Sequence, residues 1–105
     1  MIYSADADAD RAFLRDVLAM EHVDAGGGWL IFRLPPAELA FHPGADSSHE
    51  LYLTCDDIEA FVDRMAQHGV TCSEVSEQSW GRLTQLPLPG GGVLGVYEPR
   101  HPSPV

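Results

Sequence analysis

Carboxylates, thiols, imidazoles and one glycine run are the groups in this sequence whose spacing could do chemistry. Asp6, Asp8 and Asp10 crowd three carboxylates into one short stretch, a density that can hold a hard cation such as calcium. A calcium loop also needs a turn glycine and a distant glutamate, and neither stands at the required spacing. The run therefore reads as the acidic first turn of a helix, where carboxylates meet the positive end of the helix dipole. Cys55 and Cys72 lack any paired metal or redox spacing and read as reduced, mostly buried thiols. Gly26, Gly27 and Gly28 are followed by Trp29 rather than by Lys and Ser or Thr, so they form a hairpin turn and not a phosphate loop. His22, His42, His68 and His101 share no ligand-set spacing and read as surface or capping residues. Glu50, with His49 beside it, carries the most possibilities. It is a solvated carboxylate or an ion-pair partner of Arg82 or Arg33, a general base raised by aromatic surroundings, or a metal ligand.

The element that carries Glu50 is a strand running into a helix. Leu51 and Leu53 alternate with Glu50, Tyr52 and Thr54, the period of a strand with one face on a helix layer. On that period His49 points to the opposite face from Glu50. Ile58, Phe61, Val62 and Met65 then fall on one helical stripe, with Asp56 as expected N-cap, Glu59 completing a capping box and Gly69 as the stop. The helix is expected over residues 57–68.

Upstream, residues 1–4 read as a short strand, and Phe13, Leu14, Val17 and Leu18 form the apolar stripe of a helix over residues 6–19. Residues 29–34 read as a strand broken by Pro35 and Pro36, residues 37–42 as the next strand, and residues 43–48 as a polar linker. The second half repeats the first. A shift of 48 residues lays Asp8 on Asp56, Ala12 on Ala60, Phe13 on Phe61 and Val17 on Met65. Residues 70–75, which parallel a weak strand near Val23, with 80–86 and 93–97 supply three further strands, with Trp80 in the place of Trp29, and the order is β-α-β-β-β, twice. Two copies are too few for a solenoid, so the units are expected to pack as halves of one sheet system.

Composition narrows the partners. A chain of 105 residues, 45% of them hydrophobic, can bury one modest core. Sixteen Asp and Glu against six Arg, with no Lys, give a formal charge of −10, the wrong sign for nucleic acid or an anionic membrane leaflet. No apolar run approaches the roughly 20 residues of a bilayer span, and no basic segment leads into an apolar one at the start. The expectation is a cytoplasmic protein with no nucleic acid and no membrane partner.

The element order, the residues Arg11 to Leu18, the Cys55-Asp56-Asp57-Ile58 run and the Leu88-Pro89-Gly90-Gly91-Gly92 turn together resemble the vicinal oxygen chelate superfamily. That group holds glyoxalase I, extradiol dioxygenases and bleomycin-resistance proteins. The resemblance covers essentially the whole chain. It implies an α+β fold in which two βαβββ modules form curled mixed sheets around a cavity, with the helices on the outer face. Module one would be residues 1–43, the linker 44–48, module two 49–99 and the tail 100–105, and the resemblance implies a homodimer.

Enzymes of the superfamily hold a divalent metal with one residue from the first and one from the last strand of each module. The resemblance puts Glu50 and Gly95 at these positions in module two and Leu39 at the last-strand position in module one. The remaining position falls at or before Met1. Glu50 alone is a ligand, where catalytic metal sites use about three. Strand alternation then places Tyr52 beside Glu50, Val93 and Tyr97 beside Gly95, Phe41 beside Leu39, and Tyr3 on the first strand, all facing one bowl. Tyr3, Phe41, Glu50, Tyr52, Arg82 and Tyr97 are the candidate ligand-binding residues, although these aromatics, like Trp29 and Trp80, could equally be core.

Three functions follow. One is a metal-free protein that binds a small aromatic or cationic molecule in the bowl. Another is a lyase or dioxygenase using zinc, nickel, iron or manganese, its site completed by His49, by residues outside this chain or by a dimer mate. The third is a dimerisation domain with a vestigial cavity. The expected cofactor is none.

Overall fold

The computed structural model describes residues 1–34, 36–46 and 48–102. Pro35 of the proline break, Ser47 of the linker and tail residues 103–105 lie outside the described residues. Helix α1 (Ala7–Asp16) starts at Asp6, whose carboxylate accepts the Ala9 amide at 3.1 Å, with Asp8 and Asp10 in its first turn. The expected acidic helix start is thus where the Asp run stands. The helix is shorter than expected, because Val17 caps it and Ala19 takes a left-handed φ of 53°. Strands β1 (His22–Asp24) and β2 (Leu30–Phe32) form an antiparallel hairpin. Its turn runs through Gly26, Gly27 and Gly28, all at positive φ, a conformation side-chain-bearing residues avoid.

Module two is complete. Strand β3 (Tyr52–Thr54) leads into α2 (Ile58–Gln67), followed by β4 (Ser76–Gln78), β5 (Gly81–Pro87) and β6 (Val93–Pro99). The sheet order is β3-β6-β5-β4, with β3 parallel to β6 and the other pairs antiparallel. A parallel neighbour for β3 requires a crossover, and α2 supplies it. Ile58, Phe61 and Met65 of α2 pack on Leu86, Leu94, Val96 and Leu88, and Phe13 of α1 joins the same core. Both helices thus share one hydrophobic cluster. A polar latch joins the modules, because Asp10 of α1 accepts the Gly90 amide of the β5–β6 turn at 2.7 Å.

Several local expectations are corrected. Asp57, not Asp56, is the N-cap: it sits in extended backbone and its carboxylate accepts the Ala60 amide at 3.1 Å. The capping box is not formed, because with Asp57 as cap the third helical residue is Ala60, while Glu59 turns to Arg82. The Ile58 amide is taken instead by Glu98 of β6, at 3.1 Å. Residues 70–75 form no strand; the ladder begins at Ser76, and Ser73 ties this stretch to β5 by exchanging bonds with Thr84 and Gln85. Residues 1–4 and the described residues 37–42 carry no ladder, so module one contributes a helix and a two-stranded hairpin. Each is too short to hold an extended form against solvent without a neighbouring strand.

Candidate functional site

Strand alternation divides the four-stranded sheet into two unlike faces. Leu53, Thr84, Leu86, Leu94 and Val96 turn toward the helices, and Glu98 on the same side reaches the α2 N-terminus. Tyr52 and Thr54 of β3 and Gly95 and Tyr97 of β6 turn the other way. The register places Tyr52 opposite Gly95 and Thr54 opposite Tyr97. Gly95 is required there, because a Cβ at that position would run into the Tyr52 ring.

Three rings gather on this open face. Tyr52 and Tyr97 stand 5.8 Å apart at 87°, Trp80 and Tyr97 5.1 Å apart at 84°, and Tyr52 and Trp80 6.2 Å apart at 73°. Such edge-to-face contacts are the favoured aromatic geometry. Tyr52 and Trp80 nevertheless keep 39% and 37% of their surface in solvent, which a purely structural core would not. Trp80 is placed by the turn before β5, where its carbonyl accepts the Arg100 amide at 2.9 Å.

Among the described residues Glu50 has no ion-pair partner. Its carboxylate accepts the Tyr52 hydroxyl at 2.8 Å, so of the alternatives for this residue the pairing with Arg82 or Arg33 is not formed. Arg33 pairs with Glu21, and Arg82 pairs with Glu59 of α2 and Glu77 of β4. The hydrogen bond to Glu50, and then burial, raise the Tyr52 pKa above the ordinary phenol value, because both favour the neutral hydroxyl. The Tyr97 pKa is raised as well, first by burial and then by the nearby Glu38 carboxylate. Tyr97 also meets His101, with 3.2 Å between its hydroxyl and Nε2.

Of the candidate residues, the structure therefore brings together Glu50, Tyr52 and Tyr97. Arg82 lies on the helix side of the sheet, on the strand parity of Thr84 and Leu86. Tyr3 and Phe41 are 93% and 92% exposed and make no part of the aromatic corner, because neither flanking segment joins the sheet. Trp80 and His101 belong to the corner although no spacing pointed to them; the Trp80 and Trp29 correspondence of the repeat was the one available signal. Trp29 itself lies under the Arg11 guanidinium, 4.8 Å from its ring centre. Two open clefts of about 290 and 280 Å³ flank the hairpin, lined by Leu18, Met20 and Arg33 and by His22, Ile31 and Phe32, away from this face.

Among the described residues, the positions matched to family metal ligands supply one carboxylate, Glu50, which is fewer donors than a catalytic metal site uses. Leu39 is aliphatic and exposed, the space beside Gly95 is filled by the Tyr52 ring, and Glu50 is engaged by a phenol. Among the described residues, no three His, Cys, Asp or Glu side chains gather in a group able to hold a metal ion. No described helix is long and apolar enough to cross a membrane.

No protein-family profile matches the chain, and no curated protein does. Solved structures do. The chain is similar to the antibiotic-binding protein TnmS3 from Streptomyces sp. CB03234, at TM-score 0.68 and 21% identity, covering 93% of this chain and 90% of that one. It is similar to a lactoylglutathione lyase from Agrobacterium tumefaciens, at 0.64 and 21%, covering 91% and 87%. A glyoxalase/bleomycin resistance protein from Streptomyces sp. CB03234 matches at 0.64 and 20%, covering 91% and 94%. At these identities the likeness establishes the fold, which is α+β and of the vicinal oxygen chelate type.

Proposed function

We propose, from a fold shared with glyoxalase and bleomycin-resistance proteins, that this chain is a cytoplasmic, metal-free binding protein for a small aromatic or cationic molecule. The observation that carries the reading is the corner of three mutually tilted, half-exposed rings with the Glu50 carboxylate at its edge. Ring faces are electron-rich and attract both other rings and cations, and a carboxylate adds charge to that preference. TnmS3, one of the structures the chain resembles, is an antibiotic-binding protein, which agrees with such a role. Both thiols are half-buried, and burial, as the leading cause, raises their pKa, so they act as packing groups and not nucleophiles.

The same reading makes the working species a homodimer. Tyr3, Leu39 and Phe41 stand almost fully in water, and a second copy is the natural cover for them. Titration of the untagged protein with nickel and zinc, followed by elemental analysis, tests the metal-free part. The expected result is no stoichiometric metal. One tightly held ion per chain, lost in Glu50→Gln, would replace this reading with a metal-dependent lyase or dioxygenase. Chemical-shift mapping with a library of aromatic amines tests the site, and the perturbed residues are expected to be Tyr52, Trp80 and Tyr97.

A further inference from the structure

We infer that the aromatic corner selects ligands carrying N–H donors, a primary or secondary ammonium group on an aromatic or alkyl body, because both of its phenols are already committed as donors. The inference rests on the binding-protein reading and narrows it to one ligand class.

The argument is a donor count. A carboxylate can only accept, so the Tyr52 hydroxyl donates its proton to Glu50. The Tyr97 hydroxyl is assigned by the far side of His101. Nδ1 of that ring lies 2.9 Å from the Pro102 carbonyl, which also can only accept, so Nδ1 carries the proton. A neutral imidazole then has a lone pair at Nε2, and the Tyr97 hydroxyl, 3.2 Å away, donates to it. Both phenol oxygens therefore offer lone pairs to anything bound on the corner, and Glu50 offers the rest of its carboxylate.

Charge acts in the same direction. The Glu38 carboxylate lies close enough to act electrostatically on Tyr97, and the formal charge of the chain is −10. On the same face Thr54 and Gln85 are neutral groups able to donate or accept, and Trp80 keeps its indole N–H, so they do not reverse the preference. A bound anion would meet the Glu50 carboxylate and two phenol oxygens with no proton to give. An ammonium would meet acceptors and ring faces together.

The test uses the full chain and three probes of matched shape: 2-phenylethylammonium, its N,N,N-trimethyl analogue and 3-phenylpropionate. Calorimetry is expected to show 2-phenylethylammonium binding about tenfold or more tighter than the trimethyl analogue, the loss that follows when charge-assisted hydrogen bonds are removed. No heat of binding is expected from 3-phenylpropionate. Equal binding of the two cations would overturn the donor requirement, and binding of 3-phenylpropionate as tight as the amine would overturn the whole preference; both leave a binding site in place. If none of the three binds, the binding-protein reading falls and the inference with it. Independently of any ligand, nitrogen NMR of the neutral His101 ring should show the proton on Nδ1. A proton on Nε2 would overturn the assignment of the Tyr97 hydroxyl.

Discussion

Glu50 and Tyr52 illustrate how a carboxylate two residues before a phenol becomes its hydrogen-bond partner. The hydrogen bond holds the Tyr52 proton in place, so the folded protein favours the neutral phenol. Its pKa is raised above 10.0, so this stabilisation is complete below the ordinary value and is lost as pH rises through the folded one. Replacing Glu50 by Gln removes the charge and keeps an acceptor oxygen. The tyrosinate absorbance of Tyr52 is then expected at lower pH than in the unsubstituted protein, measured against Tyr52→Phe as the blank. Glu77 works in the opposite sense. Arg82 and then Arg100 bond its carboxylate and hold its pKa below 4.5, so its contribution is present above that value and is lost as pH falls through the folded one. Glu77→Gln should flatten the acid limb of a stability profile, read as denaturation midpoints between about pH 5 and pH 3. Because these groups lie in solvent, salt should weaken the effect.

Helix α2 is the element on which the site depends, since it both closes the core and fixes the strand that carries Tyr52. Ile58 and Met65 are fully buried and Phe61 nearly so, one stripe against β5 and β6. Phe61→Ala should cost about 3 to 5 kcal/mol, transfer and cavity terms together, measured by denaturant unfolding. An unchanged midpoint would mean that the stripe is not core. The cap separates two adjacent aspartates. Asp57→Ala should cost about 1 kcal/mol because the Ala60 amide loses its acceptor, whereas Asp56→Ala should cost little, the Asp56 side chain having no part in the cap. Glu98 adds a second carboxylate at this helix start, so the β6 strand that presents Tyr97 on one face anchors α2 with the other.

The whole chain is larger than a compact monomer of its mass should be. Its accessible surface is 7712 Å², against about 5,800 Å² from the scaling of folded monomers at 11.4 kDa. The radius of gyration, 14.6 Å, exceeds the roughly 13 Å expected for this length. The excess sits where module one lacks counterparts of β3 and β6 among the described residues, and where Met1, Tyr3, Leu39 and Phe41 are in water. Sedimentation at micromolar protein should therefore return a particle of twice 11.4 kDa, and a particle of 11.4 kDa alone would remove the dimer from the proposal. Phe41→Glu should shift the dimer toward monomer, because a charge at a buried apolar contact is costly.

The sequence alone determined both helices, the glycine hairpin and the order of the strands in module two, because those depend on local periodicity and on turn chemistry that neighbouring residues carry. Side-chain alternation, anchored at the Glu50 and Gly95 positions that the family resemblance supplied, also placed Tyr52, Gly95 and Tyr97 on one face, while the register of β3 on β6 came from the tertiary structure. Tertiary structure decided the rest. That Glu50 is held by Tyr52 and not by an arginine depends on which charges α2 and β4 bring to Arg82 first. The parts played by Trp80 and His101 depend on contacts with Tyr97 across the end of β6, and no spacing in the chain encodes a ring angle. The missing ladders at residues 1–4 and 37–42 have the same origin. A strand pattern states what a segment is able to pair with, but whether it pairs is set by how the tertiary structure presents the free edges, and neither segment lies in a ladder among the described residues.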